Sequence, residues 1–383
     1  MIPAIPVTAG DYRRLAQRRL PGFLFDYIDG GASDEITLRA NVDDFARIRL
    51  RQRVLVDVAN IDTQATLAGQ SCAMPLALAP VGLAGMMARR GEAQAARVAH
   101  AAGLPFTLST VGICALTEVR DAAGAPPWFQ LYMLRDRGVV RALIEQAWAL
   151  GCRTLVFTID LPLPGARHRD IRRGLGAHGL HGALLKNAQV LAHPRWLWNV
   201  ALRGRPLHFG NLAGHVPQVN DFNALRAWIE RQFDPAVIWR DIEWLRGLWP
   251  GQLLLKGILD GDDAQAAVDA GADGIVVSNH GGRQLDSAAS TISKLPIIAQ
   301  RVGAHTQILL DGGVRSGVDI FKALALGARG VLIGRAWIWA LAGAGEAGLR
   351  ALLATLQREL LLTMTLAGVR TIADIGPQHL DRD

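Results

Sequence analysis

Residues 262–282 read DDAQAAVDAGADGIVVSNHGG. Asp262–Ala270 is an Ala-rich helical pattern, Gly271 stands where a helix closes in the left-handed conformation, and Gly274–Val277 is apolar without alternation. Such a run is a strand buried on both faces, and at Ser278 it gives way to polar residues and glycines. The module recurs along the chain. Leu76–Ala79, Pro105–Leu108, Trp128–Leu131, Thr154–Phe157, Gln252–Leu255, Gln307–Leu310 and Gly330–Ile333 bring the expected strands to eight. Helical patterns such as Glu92–Ala102, Val139–Leu150 and Val318–Leu326 lie between them, and Gly103, Gly151 and Gly327 close helices as Gly271 does. Strand and helix alternating eight times predicts an α/β fold, the closed (β/α)8 TIM barrel. An open doubly wound sheet would be expected to carry an early G-x-G-x-x-G, and none opens the first βα unit.

Around this barrel, at 74–160 and 252–360, one domain of 383 residues gains two additions. Residues 1–73 form an N-terminal cap with helices expected at Asp11–Leu20 and Gly22–Asp29, and 161–251 is a long insertion between strands four and five. Half the residues are apolar and a fifth charged, which suits a globular protein. Cys72, Cys114 and Cys152 are too scattered for a disulfide framework or zinc site, the N-terminus lacks a signal pattern, and no apolar run nears the ~18 residues of a spanning helix. The expectation is a cytoplasmic protein. The net charge of +7 is uneven, because Ile171–Asn220 holds six Lys or Arg and no Asp or Glu.

In a TIM barrel the chemistry gathers at the C-terminal strand ends. Those ends offer Pro80–Gly82, Ser109, Gln130, Tyr132, Thr158, Asp160, Lys256, Ser278, His280, Asp311 and Gly334–Arg335, enough for a large polar ligand. His280 is a candidate base near neutral pH, and Arg283, three residues on, can grip a carboxylate with two bonds. Together they imply a small acid substrate with a labile proton. Asp311-Gly312-Gly313-Val314-Arg315 and Gly334-Arg335 follow the last two strands, the usual phosphate site of this fold. Lys256 ends an apolar run and points inward, where a cation can stabilise charge on a cofactor ring.

SNHGGRQLD, preceded by KGIL and followed by DGGVRSG and IGRA, together with FDYIDGGASDE near the start, resembles the FMN-dependent family that oxidises L-2-hydroxy acids. The likeness runs from about Asp11 to Gly368 and is greatest to the bacterial respiratory, quinone-linked L-lactate-oxidising members, through LRQRVL, LALAPVGLAGMMARRGE, PFTLSTVGIC, WFQLYMLRDRG and TLVFTIDLPLPGAR. The resemblance implies His280 as base, with Asp160 stabilising its imidazolium. It implies Tyr27, Arg167 and Arg283 for the substrate carboxylate and Tyr132 for the hydroxyl side. FMN is expected across Ala79, Pro80, Val81, Gly82, Ser109, Gln130, Thr158, Lys256 and Ser278. Asp311 would meet the ribityl chain, and Gly312, Gly313, Arg315, Gly334 and Arg335 would surround the phosphate. Oxidases of the family tend to carry Ala where this chain has Gly82, so Gly82 leans towards poor use of oxygen. A homo-oligomer, by resemblance a tetramer, is also implied.

Leu184–Leu212 mixes leucines, Trp196 and Trp198 with Lys186, Arg195, Arg203 and Arg205, a composition suited to an anionic membrane surface. A solvated loop or an oligomer contact is the plainer reading; no nucleic-acid module accompanies the patch. The expectation is a peripheral enzyme on the cytoplasmic side of the bacterial inner membrane, oxidising L-lactate and reducing quinone. A soluble oxidase using oxygen, a dehydrogenase of a bulkier acid such as mandelate, and a non-catalytic flavin-binding protein are the alternatives.

Overall fold

A computed structural model describes residues 5–175, 179–214 and 222–381. The cap comprises α1 (Ala9–Arg19), α2 (Gly22–Asp29) and α3 (Ile36–Arg47), followed by the antiparallel hairpin β1 (Ala65–Leu67) and β2 (Gln70–Cys72). The barrel's first half runs β3 (Leu76–Leu78), α4 (Gly91–Ala101), β4 (Thr107–Ser109), α5 (Leu116–Ala123), β5 (Trp128–Leu131), α6 (Arg137–Ala149) and β6 (Thr154–Thr158). The insertion then supplies α7 (His168–Arg172), α8 (Gly179–Leu191), α9 (Pro194–Trp196), a π-helical turn at Leu197–Leu202, α10 (Phe222–Gln232) and α11 (Trp239–Leu248). The second half runs β7 (Gln252–Ile258), α12 (Gly261–Asp269), β8 (Gly274–Val277), α13 (Thr291–Val302), β9 (Gln307–Leu310), α14 (Gly317–Ala325), β10 (Gly330–Ile333) and α15 (Arg335–Ala367).

The eight barrel strands are parallel and ordered β3-β10-β9-β8-β7-β6-β5-β4. A bridge between Leu78 and Phe106 brings β3 back to the β4 edge. Gly103, Gly151, Gly271 and Gly327 have φ of 66°, 93°, 87° and 107°, the left-handed closures expected of them. The second strand starts at Thr107 rather than Pro105, since proline has no N–H for the ladder, and β7 runs on to Ile258 through a bulge at Gly257.

The strands' period of two builds the interior in layers. Ala77, Trp128, Val156, Leu254, Val276, Leu309 and Leu332 pack together with Leu67 and Cys72 of the hairpin, which plugs the N-terminal end. One pleat higher stand Ala79, Gln130, Thr158, Lys256, Ser278, Asp311 and Gly334, and the chain turns polar there. The apolar layer is the floor of a site that opens at the C-terminal mouth.

Candidate active site

A cavity over this floor is lined by Tyr27, Ala79, Pro80, Val81, Gly82, Tyr132, Thr158, Arg167, Lys256, His280, Arg283, Asp311, Gly312, Gly313, Arg315, Gly334 and Arg335. Ser109, Gln130 and Ser278 are also expected there, but they sit just beneath the lining as fully buried groups. Ser109 Oγ donates to Gln130 Oε1 at 2.9 Å. Ser278 Oγ accepts from Lys256 Nζ at 2.9 Å and from the His280 backbone N–H at 3.1 Å, so it holds two site residues in place.

His280 lies in the turn after β8 in a left-handed conformation, φ 56°, uncommon for a residue with a Cβ. Its Nδ1 lies 2.8 Å from Asp160 Oδ1. Burial lowers the imidazole pKa, only partly offset by Asp160, so the ring rests neutral with Nδ1–H donating and Nε2 as the proton acceptor. Burial works to raise the Asp160 pKa, but His280 and Lys256 outweigh it and keep the carboxylate ionised. Gln284 Nε2 donates to the Asp160 carbonyl at 2.8 Å. Lys256 is buried and ion-paired with Asp311 Oδ2 at 2.9 Å. Burial would lower its pKa; Asp311 and Asp160 reverse this, so it stays charged.

Three arginines crowd together in the same cavity. Arg283 and Arg315 are pushed down to about 10 and Arg335 is also lowered, in each case first by burial; Arg167 repels Arg283, and Arg283 and Arg315 repel Arg335. Arg283 Nη1 donates to the Gly30 carbonyl at 2.8 Å, and Arg335 donates to the carbonyls of Asp29, Gly30 and Gly281. Carbonyl partners orient a guanidinium without cancelling its charge, so the cluster is built for anions. Gly313, with φ 92°, lies against the Asn41 carbonyl where no side chain fits. Gly334 is the N-cap of α15 and offers no side-chain cap, leaving first-turn N–H groups for an oxygen ligand.

Buried polar atoms without a partner include Gln130 Nε2, Thr158 Oγ1, Asp311 Oδ1 and Arg167 Nε. Unpartnered polar groups of this kind, with an arginine-rich, glycine-lined end, fit FMN, whose heteroatoms and ribityl hydroxyls would supply their partners and whose phosphate the arginines would hold. Two groups of lining residues were not foreseen from the sequence. Phe209, Ile229 and Phe233 come from the insertion, and Val111 faces Gly82, where a Cβ would come within 2.8 Å of Val111 Cγ2 and 3.2 Å of the Tyr27 hydroxyl. The insertion also corrects the reading of Trp196 as lipid-facing. It is buried, with Nε1 donating to the Met86 carbonyl at 2.8 Å, while Trp198 is exposed. Residues 176–178 and 215–220 of the acid-free span lie outside the described residues.

The model of the FMN-dependent dehydrogenase family matches residues 16–382. An L-lactate dehydrogenase of Chromohalobacter salexigens is 53% identical over 370 residues, covering 97% of this chain and 94% of the relative. One of Caulobacter vibrioides is 53% identical over 366 residues, covering 96% and 95%. Among solved structures, the monotopic membrane protein (S)-mandelate dehydrogenase superposes with a TM-score of 0.91 at 35% identity, over 99% of this chain and all of that one. A mandelate oxidase gives 0.83 at 38% identity, over 98% of each chain. With its barrel, its paired His280 and Asp160 and its cluster of cavity-lining arginines, the chain belongs to the FMN-dependent dehydrogenase family, as an FMN-dependent L-2-hydroxy-acid dehydrogenase.

Proposed function

We propose that the substrate is L-lactate, that the product is pyruvate, and that the electrons pass to membrane quinone. The observation that carries the substrate reading is the convergence of Arg167 and Arg283 on one cavity with His280, Tyr132 and Tyr27. Arg283 Cζ lies 5.2 Å from the Tyr27 ring centre, and Arg167 electrostatically opposes Arg283, so a carboxylate relieves both. With the carboxylate held, Tyr132 meets the hydroxyl side; burial raises its pKa, so it stays a phenol able to donate. His280 Nε2 takes a substrate proton and Asp160 stabilises the resulting imidazolium. FMN, when bound, supplies the acceptor for the two electrons that leave lactate. Lys256 provides fixed positive charge where negative charge accumulates.

Leu161, Phe209, Ile229 and Phe233 line the cavity as an apolar wall, and Gly82 leaves room beside Val111. That space favours mandelate as a second reading. An anaerobic panel of L-lactate, D-lactate, glycolate and L-mandelate, followed by flavin bleaching, separates the two: L-lactate should bleach fastest, and faster bleaching by mandelate would replace the first reading. Hydrogen peroxide formed per turnover tests the acceptor, and a stoichiometric yield would favour an oxidase over quinone reduction. Support for a membrane location comes from the exposed Leu184, Leu191, Trp198 and Leu202 beside exposed Arg195, Arg203 and Arg205. Among the described residues no helix is long and apolar enough to cross a membrane, so attachment would be peripheral.

A further inference from the structure

We propose that Arg169 is a positioning residue that sets the substrate clamp by locking α7 of the insertion onto the C-terminal end of α2. The proposal rests on the reading of Arg167 and Arg283 as that clamp. Arg169 Nη2 lies 2.5 Å from Asp26 Oδ1 and 3.0 Å from Asp29 Oδ2, Nε lies 3.1 Å from Asp26 Oδ1, and Nη1 lies 3.3 Å from Glu35 Oε1. The Asp29 side chain is only 3% exposed. Glu35 Oε1 in turn accepts the Gly31 N–H at 2.8 Å, so the turn after α2 is held from both sides. The same turn faces the site with its carbonyls. Gly30 accepts from Arg283 and Arg335, and Asp29 accepts from Arg335. Tyr27 sits on α2 between the two aspartates, and Arg167 precedes Arg169 by two residues at the start of α7.

Charge balance at Asp29 does not require Arg169. Arg13 already meets both Asp29 oxygens, at 2.6 Å and 2.7 Å. Arg173, at the end of α7, makes a single bond to Asp26 Oδ2 at 3.2 Å. What Arg169 adds is a multidentate link between α2, which carries Tyr27 and whose C-terminal turn orients Arg283, and α7, which follows Arg167. A planar guanidinium spanning three carboxylates fixes direction as well as distance, which a single ion pair does not. Catalytic geometry is sensitive to displacements of about 1 Å, where losses near 10²-fold occur.

The test uses the FMN-loaded enzyme and its Arg169→Met and Arg169→Lys variants, with oxalate binding read from the flavin spectrum and KM and kcat measured with L-lactate. Arg169→Met should weaken oxalate binding and raise KM by about 10-fold or more, with a smaller fall in kcat. FMN content should match the wild type, and Arg169→Lys should recover part of the loss. Wild-type oxalate affinity and KM in Arg169→Met would overturn the proposal. Should that variant not fold, Asp26→Asn removes the nearest carboxylate while leaving Arg13 on Asp29, and Arg173→Met, which takes away the other arginine on Asp26, is measured beside it. Wild-type oxalate affinity and KM in Asp26→Asn would overturn the proposal, as would a loss in Arg173→Met equal to that in Asp26→Asn. Arg283→Met is the separate control. If it binds oxalate as the wild type does, the clamp reading itself falls; if it loses oxalate while Arg169→Met does not, only the positioning role falls.

Discussion

His280 Nδ1 and Asp160 Oδ1 lie 2.8 Å apart although they extend from β8 and β6, which are separated in the barrel by β7. The gap is bridged because β7 bulges at Gly257, where a Cβ would sit 2.6 Å from Asp160 Cβ. The missing side chain lets the aspartate lean towards the histidine, so the pair proposed as base and partner depends on a glycine of the neighbouring strand.

Gly257→Ala should therefore displace Asp160 and strain a backbone whose φ is 120°. The expected outcome is a reductive half-reaction slower by about 10-fold or more, with FMN still bound. Rapid anaerobic mixing with L-lactate measures it; a wild-type rate would mean that the bulge does not tune the pair.

The pH dependence follows from the neutral resting state of His280. Burial holds its pKa below the ordinary 6.5 despite Asp160. Protonation removes the base, so kcat/KM should fall with one proton as pH drops through a midpoint below 6.5 and be flat above it. Asp160→Asn takes away the group that raises the imidazole pKa, so the midpoint should move further down while the plateau drops. His280→Gln should lower flavin reduction by about 10²-fold or more at every pH. A midpoint that moves upward in Asp160→Asn would contradict the arrangement.

Arg315 gives a prediction with opposite signs in two states. Its side chain is half-buried, the guanidinium 5.0 Å from the Trp339 ring centre, with its pKa pushed down to about 10 mainly by desolvation. At neutral pH it is still charged, so without an anion it is a cost to the fold. Arg315→Met should leave the apoprotein as stable or more so, yet weaken FMN by about 10- to 100-fold, the range of one charge-assisted hydrogen bond. Melting temperatures with and without FMN, and FMN titration of the apoprotein, would show it; equal losses in both states would place Arg315 in the structural core instead.

The barrel was legible because its strands are short apolar runs closed by polar residues, and four of them, such as Gly274–Val277, start and end where the sequence places them. The site was legible for a related reason: two residues beyond Val276 comes Ser278, since the pleat repeats every second residue, and His280 follows in the turn that leaves the strand. What the sequence hides is pairing at long range. Asp26 and Asp29 stand beside Tyr27 in plain view, but their partner Arg169 is 143 and 140 residues away. Trp196 and Trp198 look alike in composition, and only the packing of the insertion on Met86 buries one and exposes the other.

That distinction decides how membrane attachment should be tested. Replacing the whole of 184–212 would strip away Phe209 and Leu212, which are buried against the barrel, and Asn211, which accepts from Leu116 N–H and donates to the Ser109 carbonyl. A loss of binding after such a deletion would not separate anchoring from unfolding. The exposed groups can be changed alone. Arg195→Ser, Arg203→Ser and Arg205→Ser together remove three basic residues, each contributing about 1 kcal/mol near an anionic surface, so partitioning should fall on the order of 100-fold and the remainder should lose its salt dependence. Leu191→Ser with Trp198→Ser should instead reduce the part of binding that salt leaves intact. Both sets should keep lactate-to-dye activity, because none of the five residues lines the cavity. Trp196→Ala, by contrast, should destabilise the fold by about 3–5 kcal/mol as a buried aromatic does. Flotation with phosphatidylglycerol vesicles at low and high salt is the measurement, and undiminished flotation of the five-residue variant would move the attachment surface elsewhere on the molecule.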